Sequence, residues 1–173
     1  MHVIETSALK LEPQVAGHAE EMFAILSDPA LYRHEGAPPP SLEWLRARFS
    51  KLELRASPQG DERWLNWVIR LPTSELIGFV QATVGPEGRA AVAYVLSSRH
   101  WGRGFARQAV QAMILELAEH YQVRHLSAVI KRNNLRSLLL VERLGFAVAA
   151  SETRSDHGVH ADEVLMQREI QGA

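Results

Sequence analysis

The chain contains no cysteine, which excludes a disulfide framework, a thiolate nucleophile and a cysteine-ligated zinc centre. No apolar run approaches the roughly 18 residues of a membrane-spanning helix, and the N-terminus lacks a signal-peptide pattern. A cytoplasmic protein that engages no membrane is the expectation. Charge of one sign is missing too. Lys and Arg total 19 against 20 Asp and Glu, a formal net charge of −1, which argues against a nucleic-acid binder working through bulk charge. Repeats, low-complexity tracts and internal linkers are absent. The 173 residues therefore read as a single domain, 1–173, with enough chain for a substantial core.

What is present is an alternation of helical and extended patterns. A strand at about Ala8–Leu11 precedes a helix in which Ala19, Met22, Phe23 and Leu26 recur at helical spacing, and Asp28-Pro29 stops it. Pro38-Pro39-Pro40 is a stiff connector. Ser41 then suits the N-cap of a second helix with the stripe Leu42, Leu45, Phe49 and Leu52. Trp64–Ile69, Leu76–Val84 and Ala90–Leu96 read as three strands with short connections, an antiparallel meander. Trp64 and Trp67 point to opposite faces, one towards a core. An amphipathic helix starts near Phe105, with Val110, Met113, Ile114, Leu117 and Tyr121 on one face, and His125–Ile130 is a further strand. A helix between two strands favours a parallel crossover, hence a mixed sheet. A short helix over Leu135–Arg143 ends at Gly145 as its C-terminal cap. Strands at about Ala147–Thr153 and Asp162–Glu169 flank an Asp156-His157-Gly158 turn. The fold class is α/β, with about seven strands and about four helices.

The most informative segment is Trp101-Gly102-Arg103-Gly104-Phe105-Ala106. Small residues let the backbone approach something bulky, glycine tolerates positive φ, and a helix N-terminus aims N–H groups and a positive dipole end outward. Arg99, Arg103 and Arg107 add positive charge, so the turn suits phosphates. A Walker-type loop is absent, because no Gly-Lys-Ser/Thr occurs. A dinucleotide fingerprint fails at its third small position, which is Arg107. The pyrophosphate of coenzyme A remains, beside the plain alternative of a tight strand-to-helix connection.

Downstream runs Asn134-Leu-Arg-Ser137 to Leu144-Gly145-Phe146. With the Trp-Gly-basic-Gly-aromatic-Ala turn, and with the opening Glu5-Thr6 to Leu11-Glu12-Pro13 and the Leu26-Ser27-Asp28-Pro29 helix end, the chain resembles the GNAT superfamily of acyl-CoA-dependent N-acyltransferases. Within it, the RimJ/RimL-like ribosomal-protein N-terminal acetyltransferases are the nearest likeness. The resemblance covers nearly the whole chain in motif order.

It implies a bacterial enzyme with the GNAT fold, a mostly antiparallel central sheet splayed at the cofactor cleft. The amides of Gly102, Arg103, Gly104, Phe105, Ala106 and Arg107 would hold the pyrophosphate of acetyl-CoA. Val95, Leu96 and Ser97 would pair with the pantetheine arm, and a backbone N–H at Leu96 would stabilise the oxyanion. Asn134 would orient the arm, and Ser137, one helical turn on, would donate to the departing thiolate. Plain structural readings stand beside these: Asn134 as a helix cap, Ser137 as a backbone-bonded serine. No metal is implied, since no spacing of the eight histidines makes a site.

Two departures bear on the chemistry. The family's tyrosine acid, four residues past the serine, is here Val141. Its strand glutamate is replaced by Ala91. No general base stands out, although His34, Glu35, His100, His157 or a water chain could serve. Deprotonating a lysine-type amine at pH 7 costs about 4.6 kcal/mol against about 1–1.4 kcal/mol for an α-amine. A site lacking a carboxylate base therefore fits a protein N-terminal α-amine, or a small-molecule amine of low pKa, as acceptor. The loop Tyr32–Ser41 is a candidate lid on that side. The expected activity is acetyl-CoA-dependent N-acetyl transfer to a primary amine, a protein N-terminal α-amine or a small-molecule amine such as a polyamine, an antibiotic or an amino acid, by direct attack in a ternary complex. A non-catalytic acyl-CoA-binding or regulatory domain is the alternative, and a homodimer is compatible with either.

Overall fold

The computed structural model describes residues 1–150 and 158–170. Eight strands form one sheet: β1 (Ile4–Glu5), β2 (Lys10–Pro13), β3 (Arg63–Arg70), β4 (Leu76–Val84), β5 (Arg89–Leu96), β6 (His125–Lys131), β7 (Ala147–Val148) and β8 (Glu163–Glu169). Their order is β1-β2-β3-β4-β5-β6-β8-β7. Every neighbouring pair is antiparallel except β5 and β6. The four helices are α1 (Ala19–Leu26), α2 (Leu42–Glu53), α3 (Phe105–Tyr121) and α4 (Leu135–Arg143).

The mixed sheet follows from α3, which carries the chain over the sheet and returns it parallel to β5. The helical stripe of α3 is buried as its spacing predicts, through Val110, Met113, Ile114 and Leu117. It packs with Trp67, Ala90, Val92, Leu96 and Ala128 into the larger core. On the other face α1 and α2 cover β3 and β4 through Met22, Leu26, Leu45, Phe49 and Val68. The Trp64/Trp67 alternation resolves as expected: Trp67 is fully buried and Trp64 half-buried.

Local signals act where the sequence places them. Ser41 Oγ accepts from Trp44 N–H at 3.1 Å, and Gly145, at φ +83°, ends α4 with Phe146 N–H on Val141 O at 3.0 Å. Three expectations are corrected. The first extended run pairs over Lys10–Pro13 rather than Ala8–Leu11, and β1, too short to show a pattern, raises the strand count to eight. The strand expected over 147–153 pairs only at Ala147–Val148, and its positions 151–153, like Asp156 and His157, lie outside the described residues. Among the described residues, no helix is long and apolar enough to cross a membrane.

Candidate active site

The parallel pairing of β5 with β6 covers only Arg89↔His125, Ala90↔Leu126 and Ala91↔Ser127. Beyond Ala91 the strands part, so the rest of β5 has an edge facing a cleft. Which groups line that edge follows from register. Ser97 N–H donates to Ile77 O at 2.7 Å, and bonded and non-bonded pairs alternate along an antiparallel ladder. Val95 and Ser97 therefore direct their amides to β4, whereas Tyr94 and Leu96 direct theirs to the open side. Of the three residues expected along the pantetheine arm, Leu96 alone offers its N–H to the cleft. Its carbonyl already accepts from Trp101 Nε1 at 2.8 Å.

Gly78 makes this end of β5 fit. It pairs with Leu96, and a Cβ there would fall 2.1 Å from Val95 O. Only glycine lets the two strands approach so closely.

The glycine turn opens α3 at the mouth of the cleft. Gly102 and Gly104 have φ of +77° and +82°, and a Cβ at either would meet nothing within 4 Å. The turn thus borders open space. Among the described residues, no protein acceptor takes the N–H groups of Gly102–Arg107. Unpartnered amides at a helix N-terminus form a ready anion seat.

Beneath the turn, buried His100 places Nε2 3.2 Å from Glu75 Oε1 and Nδ1 3.2 Å from Arg103 Nη1. Because a guanidinium only donates, Nδ1 is the acceptor and Nε2–H points at the carboxylate. This chain ties Arg103 to the turn's underside, and His100 is a buried support rather than an available base. Lys131 bonds Asp162 and Glu163 at 3.0 and 2.9 Å, and Arg132 the carbonyl of Ala161 at 2.9 Å. These two brace β6 against β8. Arg99 and Arg107 are exposed beside the turn.

Across the cleft, α4 begins at Asn134, whose Oδ1 accepts from Ser137 N–H at 3.2 Å. The capping role is thus present. Ser137 is half-buried, and Val141, where the family's tyrosine is expected, is core at 1% exposure.

Sequence reasoning missed a neighbour of Ser137. Tyr94, on β5, turns its ring to the α3 and α4 side, and its Oη is buried with no hydrogen bond closed. Burial pushes the phenol's pKa up, against the smaller downward pull of the Ser137 side chain and the Arg136 charge. A neutral hydroxyl therefore adjoins Ser137. Arg136 stacks over the Trp101 ring at 4.1 Å, joining α4 to the glycine turn.

The opposite face of β5 is open at Ala91 and Ala93. Register sets Trp64, Thr83, Ala91, Ser127 and Gln167 in one row, and Asn66, Gln81 and Ala93 in another. Neither row holds a carboxylate. A cleft of about 240 Å³ beside them is lined by Arg48, Lys51, Trp64, Asn66, Gln81 and Thr83. The loop after α1 reaches over the site. Asp28 accepts from Ser98 Oγ and from Ala30 N–H, and His34 Nδ1 lies 3.0 Å from Asn133 Oδ1. Of the candidate bases, His34 thus borders the cleft, Glu35 is exposed, and His157 lies outside the described residues.

A family model described as an acetyltransferase (GNAT) domain matches residues 8–147. The chain belongs to the GNAT acetyltransferase family. The match takes in β2 to β6, the glycine turn and α4. The uncharacterised N-acetyltransferase p20 of Bacillus licheniformis is 36% identical over 59 residues, spanning 34% of this chain and 33% of that protein. Among solved structures, RimL, a ribosomal-protein alpha-N-acetyltransferase in complex with coenzyme A, superposes with a TM-score of 0.82 at 18% identity over 99% of this chain and 100% of its own. A GNAT-family acetyltransferase from Bordetella pertussis gives 0.75 at 23% identity over 97% and 99%. A chimera of the spermidine N-acetyltransferase SpeG from Vibrio cholerae gives 0.78 at 19% over 94% and 96%. At these identities the likeness is one of fold.

Proposed function

We propose that the chain moves an acetyl group from acetyl-CoA to a primary amine of low pKa, a protein N-terminal α-amine foremost. The observation that carries the reading is the conjunction at one cleft of a parted β5–β6 edge, an unpartnered α3 N-terminus and the hydroxyls of the half-buried Tyr94 and Ser137. The residues present fit acetyl-CoA. Amides of Gly102–Arg107 would hold its pyrophosphate, the amides of Tyr94 and Leu96 and the side chain of Asn134 would meet its pantetheine arm, and its thioester supplies the acetyl group.

The chain's part in the chemistry is positioning and charge stabilisation. No cysteine exists to carry an acyl group, so the amine attacks directly. Leu96 N–H would stabilise the oxygen as it gains charge. Ser137 would donate a hydrogen bond to the departing sulfur, which takes up the proton that the attacking amine gives up as the carbon–sulfur bond breaks, and Tyr94, held neutral by burial, would stand behind Ser137 as a second donor. This assignment fills the place that Val141 leaves vacant.

The acceptor side supports a low-pKa amine. Its neutral rows leave no carboxylate to strip a proton from an alkylammonium. The exposed Arg48 and Lys51 at the neighbouring cleft repel a polyamine and suit a chain rich in acidic residues. RimL is named for alpha-N-acetylation of a ribosomal protein and SpeG for spermidine, so the fold serves both acceptor classes, and local charge favours the first.

Release of coenzyme A thiol, followed with short peptides bearing a free α-amine and with spermidine, tests the reading. The expected result is turnover of the peptides above spermidine, lowered about a hundred-fold in Ser137→Ala. Binding of acetyl-CoA without turnover of any amine would support the non-catalytic module that Val141 and Ala91 favour. Absence of binding would remove both readings.

A further inference from the structure

We propose that His2, Glu116 and His120 form a site for a divalent transition metal of the zinc class, clipping the N-terminal segment to the far half of α3. Glu116 and His120 stand one helical turn apart on α3, and tertiary structure brings His2 to them from 114 residues away. His2 Nδ1 is 2.8 Å from Glu116 Oε1, and His120 Nε2 is 3.5 Å from Glu116 Oε2. The ligand atoms of all three lie within 4.8 Å of one another. Metal–ligand bonds of about 2.0–2.1 Å in a tetrahedral shell set ligand atoms about 3.4 Å apart, a spacing that the two contacts to Glu116 bracket at 2.8 and 3.5 Å.

Two further observations separate this cluster from a chance meeting of surface groups. The first is charge. The Glu116 side chain is only 7% exposed, and its ion-pair partners among the described residues are these two histidines. A carboxylate shielded from water needs polar partners, and with no Lys or Arg bridged to it among the described residues, the two imidazoles are the groups that reach it. The second is anchoring. His2 O accepts from Trp67 Nε1 at 2.9 Å, and Trp67 is fully buried, so its indole has no solvent partner to turn to. The bond fixes His2 over the end of α3, and β1 holds the following residues.

Two imidazoles and one carboxylate suit zinc, nickel or copper over calcium or magnesium, and they leave coordination positions to water. Glu116 lies eleven residues past the start of α3, roughly 16 Å along the axis, so the ion would clip structure without touching the acyl cleft.

The test is calorimetric titration of the tag-free, chelator-treated full chain with zinc chloride, paired with thermal melts. The expected results are one equivalent bound per chain and a raised Tm. His2→Ala and His120→Ala should each weaken binding about ten-fold or more. Their side chains are 61% and 46% exposed, so both variants should fold, and zinc-free melts matching wild type would verify it. Failure of wild type to bind one equivalent, unchanged affinity in both variants, or an equal response to calcium chloride would overturn the proposal.

Discussion

In the proposed function the hydroxyls of Tyr94 and Ser137 together take the place of the tyrosine acid that the family resemblance expects at Val141. Tyr94→Phe removes only an oxygen that makes no closed bond, so stability should change by less than about 1 kcal/mol. The same change should lower kcat about ten-fold while leaving the KM for acetyl-CoA nearly unchanged. If the two hydroxyls act as a unit, adding Tyr94→Phe to Ser137→Ala should cost little more than Ser137→Ala alone. Steady-state kinetics of the three variants checks this, and full additivity would separate the residues. Asp28 allows a pH prediction. The Ser98 hydroxyl and the Ala30 amide hold its carboxyl below the ordinary range. A depressed carboxylate stabilises the fold above its unfolded pKa of about 3.9 and loses that contribution as pH falls through the lower folded value. Melts between pH 6 and pH 3 should therefore show a steeper acid loss in wild type than in Asp28→Asn.

At the scale of elements, the glycine turn and α4 were legible because their signals are local. Gly104 ahead of Phe105, Ser41 ahead of Leu42 and Gly145 after Leu144 act within a few residues of where they sit. Tyr94 was not legible, because Ala90, Val92, Tyr94 and Leu96 alternate as any buried strand face does, and nothing along the chain marks one of them as adjoining α4. The cluster at His2 was hidden for the same reason at greater range. The close crossing at Gly78 gives a prediction of its own. Alanine there meets Val95 O at 2.1 Å, and overpacking against backbone costs about 2–3 kcal/mol. Gly78→Ala should lower the Tm by several degrees and disturb the Leu96 amide, whereas Gly104→Ala, with open space at its Cβ, should cost only about 1 kcal/mol of αL strain. Paired melts distinguish the two.

For the whole molecule, the order of motifs revealed the family, and the helix between β5 and β6 revealed the mixed sheet. The parting of those strands rests on where their pairing stops, at Ala91 and Ser127, which no local pattern encodes. The proposed acceptor floor is less legible still, since it would be assembled from single residues of five strands, none distinctive alone. In the proposed function the α3 N-terminus and the open β5 edge would together seat acetyl-CoA. Calorimetric titration with acetyl-CoA, comparing wild type with Gly104→Ala, tests this seat, because the added methyl group would project into the open space where the phosphates would lie. One equivalent should bind to wild type, with at least about ten-fold weaker binding by a variant that remains folded. Absence of binding in wild type, or equal affinity in the two, would contradict it.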